Sequence, residues 1–147
     1  MKSLLACFLL AIATLTAQAA DETGLVNQLS PYPVAESLDR LEKVVTAKGA
    51  KIFARIDHAA ESQGAGLTLR PTQLLIFGSP KAGNALMRLN QSIGLDLPMR
   101  VVAWEDEQGK VHLTWNNLDY LVARHGLAAD TAKLLPPIGK LIEAALK

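Results

Sequence analysis

The chain has 147 residues, half of them hydrophobic, with 15 basic and 14 acidic side chains and a single cysteine. That length suits one core that forms without metal or disulfide staples. The charge balance, with no run of lysine or arginine, excludes the basic footprint that phosphate-backbone binding requires, so nucleic acid is not an expected partner.

Residues 1–20 read as an export signal. Lys2 supplies a positive start, Leu4 to Leu15 form an apolar stretch, and Ala17-Gln18-Ala19 is a small-residue exit, which places cleavage after Ala19. A signal peptide of residues 1–19 and a domain of residues 20–147 follow. The apolar run is short of the roughly 20 residues a spanning helix needs, so no stable membrane anchor is expected after cleavage. Cys7 comes too early to be a lipid-attachment site, because too little n-region and apolar core precede it. Removing the signal takes away the only cysteine and one lysine, leaving 14 basic against 14 acidic groups. The expected product is a periplasmic domain without disulfide, thiol nucleophile or thiolate ligand.

Val26 to Leu29 is a short strand closed by Ser30-Pro31. Val34, Leu38, Leu41 and Val45 then recur at helical spacing. Pro33 suits a first helical position and Gly49 a residue just past the end. Lys51 to Asp57 alternates, with Ile52, Ala54 and Ile56 expected on one face. Asp57 is placed to cap a short helix through Glu61, ended by Gly64 and Gly66. Thr72 to Phe77 is a nearly continuous apolar run, as a central strand would be. Gly78-Ser79-Pro80 breaks it, and Pro80 opens a second short helix.

Met99 to Glu105 and Lys110 to Asn116 form a hairpin across Asp106-Glu107-Gln108-Gly109. In its second strand Val111, Leu113 and Trp115 point one way and His112, Thr114 and Asn116 the other, giving one apolar and one half-open face. Leu118 to His125 makes a helical turn or two, stopped by Gly126. Thr131 to Lys147 reads as helix with Asp130 as N-cap, kinked or split at Pro136-Pro137. The order predicts a single α+β domain: an antiparallel or mixed sheet of about five strands with helices packed on one face.

Several words along the chain carry a resemblance: Ile56-Asp57-His58-Ala59-Ala60, Gly66-Leu67-Thr68-Leu69-Arg70-Pro71-Thr72, and Leu75-Ile76-Phe77-Gly78-Ser79-Pro80-Lys81-Ala82-Gly83. Gly94-Leu95-Asp96-Leu97-Pro98, Trp104-Glu105-Asp106, Tyr120-Leu121 and Arg124-His125-Gly126 follow in order. Together they resemble the DUF302 family, a domain of unknown function, over nearly the whole exported chain. The resemblance implies a TBP-like fold, roughly β-α-β4-α, and implies no activity or catalytic residue. The family often has asparagine where Ser79 stands here.

No motif fixes a reaction, and no cofactor is indicated. A metal set of His58, Glu61 and His125 offers imidazole and carboxylate ligands; the competing structural reading makes Asp57 a cap and His58 a turn residue. Gly78 to Asn84 outlines a phosphate loop, but Asn84 and Ala85 stand where the Lys and Ser/Thr of a Walker sequence belong. Acid-base chemistry would draw on Arg70, Glu105, Asp106, Tyr120, Arg124 and His125; Glu105 and Asp106 are adjacent and point apart, which a paired-carboxylate site does not allow. Met87, Met99, Trp104 and Trp115 read as packing. The expectation is a non-enzymatic module that binds a small ligand or a protein, through a groove or the sheet face bearing His112, Thr114 and Asn116. Its candidate contacts are Asp57, His58, Arg70, Glu105, Asn116, Tyr120, Arg124 and His125. The alternative is an enzyme using His58 and His125, and a homodimer is a further expectation for an exposed strand edge.

Overall fold

The computed structural model describes residues 23–147, so the signal segment and its cleavage point lie outside the described residues. Five strands are described: β1 (Leu25–Ser30), β2 (Lys51–Asp57), β3 (Thr72–Gly78), β4 (Met99–Glu105) and β5 (Val111–Asn116). They form one sheet in the order β1-β5-β4-β3-β2, and every neighbouring pair is antiparallel. The helices are α1 (Val34–Ala47), α2 (His58–Gly64), α3 (Pro80–Met87), α4 (Leu118–Arg124) and α5 (Ile138–Ala145), with 3-10 turns at Gln91–Leu95 and Ala129–Leu134.

One sheet face is buried. Val34, Leu38, Leu41 and Val45 of α1 form a single cluster with Leu75, Phe77, Val101, Ala103, Leu113 and Trp115 of the sheet, and Ile138, Leu141 and Ile142 of α5 complete it. Phe77 is wholly buried, so its truncation to alanine would cost about 3–5 kcal/mol. α1 is amphipathic because its apolar residues fall three and four apart, and the face they make is the one the sheet needs to cover.

Two expectations are corrected at the level of single residues. The register of β2 shifts between Ile52 and Ala54. Ile52 lies opposite Phe77 and packs against the core, whereas Ala54 and Ile56 lie opposite Ile76 and Leu74. The three therefore do not share a face. A bulge inserts one residue, here Phe53, and reverses the alternation beyond it. At the C-terminus, Pro136-Pro137 separates the 3-10 turn from α5 completely, and Asp130 lies inside that turn instead of capping a helix. The missing N–H and the fixed φ of each proline stop the first segment before the second begins.

Candidate functional site

Because strands alternate, the residues opposite the core form a second face. It carries six apolar residues, Ala54 and Ile56 from β2, Leu74 and Ile76 from β3, and Val102 and Trp104 from β4, with cross-strand pairs Ile56 to Leu74, Leu74 to Val102 and Ala54 to Ile76, and the exposed Arg100 stands opposite Ile76 at their border. None of these six belongs to the core cluster, and all are only half-buried. Toward the other edge the face turns polar, with His112, Thr114 and Asn116 of β5 and Asn27 of β1, before the exposed Leu25 and Leu29.

The polar half is tied into one hydrogen-bonded chain. Trp104 Nε1–H donates to Thr114 Oγ1 at 2.9 Å, Thr114 donates to Asn27 Oδ1 at 3.0 Å, and Asn27 Nδ2 donates to His112 Nδ1 at 2.9 Å. With Nδ1 accepting, His112 Nε2–H donates to Asp106 Oδ2 at 2.9 Å. The other Asp106 oxygen accepts from the backbone N–H groups of Gln108 and Lys110 in the hairpin turn, where Gly109 takes a φ of 73°. Those bonds, the His112 bond foremost, hold the Asp106 carboxyl below its ordinary value. The Trp104 ring stacks on His112, with centroids 4.4 Å apart. Trp104, Thr114, Asn27, His112 and Asp106 thus satisfy one another across this half of the face, while the Asn116 amide beside them makes no such bond among the described residues.

A second polar cluster lies where β4 begins. His125, the residue after α4, places Nε2 2.6 Å from Asp96 Oδ2 and Nδ1 2.8 Å from Ser92 Oγ. Arg124 reaches the other Asp96 oxygen at 3.3 Å, and Asn90 donates to the His125 carbonyl at 2.7 Å. Asp96 and His125 are buried, while Ser92 is exposed. The cluster joins the 3-10 turn Gln91–Leu95 to the end of α4.

The sequence candidates divide between the two ends of the sheet. Asp57 Oδ1 accepts from the Ala60 N–H as the cap of α2, and its second oxygen accepts from Gln73. Arg70 Nε donates to the Glu105 carbonyl at 3.1 Å, at that same end of the sheet. His58 and Glu61, both exposed, belong to α2, which follows Asp57 directly. His125 and Arg124 stand at the opposite end of β4, beside Asp96. Among the described residues no group of three or more His, Cys, Asp or Glu is placed to hold a metal ion, and His58, Glu61 and His125 are not brought together. Tyr120 packs its ring over Gly24. Asn116 lies on the open face opposite Leu25. Sequence reasoning missed Ser92, Asp96 and Asn27 as partners, because each meets its histidine across 29 residues or more. The only local signal was Asn90-Gln91-Ser92, a capping pattern in which Asn90 Oδ1 takes the Ser92 N–H at 3.0 Å.

These features define a single α+β domain with one covered and one open sheet face. The chain belongs to the family described as domain of unknown function DUF302, whose model matches residues 26–145. A crystal structure of an uncharacterised conserved DUF302 protein from Bacillus stearothermophilus has the same fold: the TM-score is 0.70 at 18% identity, covering 84% of this chain and 95% of that one. Two curated Brucella proteins are 46% identical over 113 residues, 76% of this chain. The protein of Brucella suis biovar 1 (strain 1330) is named fluoride-specific ion channel FluC 1, and that of Brucella melitensis biotype 1 is named FluC 2. The chain spans 44% and 42% of their lengths, less than half of each.

Proposed function

We propose that this DUF302 domain is an exported, non-enzymatic interaction module whose open sheet face pairs with the same face of a second copy. The supporting observation is the make-up of that face: an aliphatic half of Ala54, Ile56, Leu74, Ile76 and Val102, bordered by Arg100, beside a polar half whose groups, Asn116 apart, are bonded to one another. A two-fold axis over the aliphatic half lets that patch meet itself. The three strands of that half, about 4.8 Å apart and about six residues long at about 3.4 Å each, cover roughly 300 Å². Two such faces remove about 600 Å² from water, under the roughly 1,000 Å² of a stable specific interface. The pairing is accordingly weak and concentration-dependent. Occurrence of a similar segment inside the longer Brucella proteins supports a domain that works beside another folded unit; their channel name refers to the whole proteins. A cysteine at Ile76, in the cleaved and otherwise cysteine-free chain, tests the face: pairing protects its thiol from alkylation as protein concentration rises. An unchanged labelling rate sinks the idea.

A second reading, acyl transfer, rests on Ser92, His125 and Asp96, which stand in the order of nucleophile, base and orienting carboxylate. It ranks below the first because the Ser92 N–H, the natural oxyanion donor beside that hydroxyl, is taken by Asn90. Labelling of Ser92 by a fluorophosphonate would reverse the ranking.

A further inference from the structure

Away from the open face, a cavity of about 280 Å³ lies between the bulge of β2, α3, the 3-10 turn Gln91–Leu95 and the Leu135-Pro136 segment. We propose that this cavity is a binding site for a compact, uncharged, aromatic or branched aliphatic molecule. Its wall contains no ionisable side chain; Phe53, Met87, Leu97, Met99 and Leu135 supply most of it, with three prolines and three glycines. The one polar side chain in the wall, Ser79, accepts from the Ala82 N–H at 3.4 Å as the cap of α3. A charged ligand would be desolvated there with nothing to pair it.

The space is kept by missing side chains. A Cβ on Gly83 would stand 3.6 Å from Met87 Cε, and one on Gly94 would stand 3.4 Å from Met87 Sδ. The β2 bulge contributes as well, since bulges re-aim side chains and Phe53 is the inserted residue. Leu97, Met99 and Leu135 are buried in the wall, whereas Phe53 is 44% and Met87 37% exposed. Large apolar side chains left facing solvent around an apolar cavity are what an occupant covers. The volume exceeds the roughly 150 Å³ cavity that accepts benzene and lies just below the range of about 300–1,000 Å³ for drug-sized ligands. One or two small rings therefore fit.

The methyl groups of Met87 and Met99 report directly on the site. Titration of the purified protein with toluene and with indole should give saturable shifts of both methyl signals, and benzoate at the same concentrations should give none. Gly83 lies within α3, where a residue with a side chain is favoured over glycine. Gly83→Leu should therefore keep the thermal transition while weakening indole binding at least tenfold, and Gly83→Ala should weaken it less. Shifts that never saturate, benzoate binding equal to indole, or undiminished binding to a folded Gly83→Leu protein would each overturn the proposal.

Discussion

The ring of His112 lies nearly parallel to the indole of Trp104, at 15°, and the two are also joined the long way round through Thr114 and Asn27. His112 holds this arrangement on both ring nitrogens. His112→Ala removes the stack and leaves Asn27 and Asp106 each short of a partner, at an expected cost of roughly 1–3 kcal/mol. Urea unfolding followed by tryptophan fluorescence measures it, and a change under a few tenths of a kcal/mol would show that the chain of bonds carries no stability.

The same bond gives a pH dependence with a definite sign. The folded Asp106 carboxyl titrates below its ordinary value of 3.8, so the unfolded chain binds its proton first as pH falls. Its stabilising contribution is complete above that value and is lost as pH drops through the lowered one. Asp106→Asn should lower stability at neutral pH and flatten the fall in stability below about pH 4. Denaturation midpoints across that range test it; an unchanged slope would contradict the assignment.

Gly24 has a φ of 76°, and a Cβ there would stand 2.2 Å from Cγ of Tyr120. Gly24→Ala therefore meets both a left-handed backbone and the aromatic ring, at an expected cost of about 2 kcal/mol or more. Adding Tyr120→Ala should return the steric part and leave the backbone part. A double-mutant cycle with no coupling would show that the ring moves aside freely.

His125→Ala would leave the buried Asp96 with Arg124 alone, and roughly 2–3 kcal/mol should be lost. Ser92→Ala, at the exposed end of the cluster, should cost about 1 kcal/mol. Chemical denaturation of the two variants distinguishes a buried latch, where His125 dominates, from a surface contact, where both changes are small.

The account of export predicts that the protein recovered from the periplasm begins at Ala20. N-terminal sequencing answers this directly, and a chain beginning at Met1 would remove the exported half of the proposed function.

The sheet was legible because its signals are local. Val111, Leu113 and Trp115 alternate without interruption, and Asp106 to Gly109 is a turn by composition. The helix from Val34 was legible for the same reason, at its own period. What the sequence concealed depends on one-residue insertions and long-range partners. Phe53 looks like an ordinary member of an alternating strand, yet as the bulge residue it sends Ile52 and Ala54 to opposite faces. The 3-10 turn Gln91–Leu95 is too short to show a period, and it carries the Ser92 and Asp96 that His125 finds. Asp57 was legible as a cap because capping is decided within three residues.

Sedimentation equilibrium of the wild type beside Val102→Lys tests the pairing of open faces most directly. Val102 is half-buried on β4, where the aliphatic half meets Thr114, so a lysine there costs the lone domain little and adds a second cation beside Arg100 to the face that pairs. The account predicts a wild-type mass that rises toward the dimer with concentration, and a folded Val102→Lys protein that stays monomeric. A wild type that remains monomeric at every concentration, or a variant that associates as well as the wild type, would contradict it.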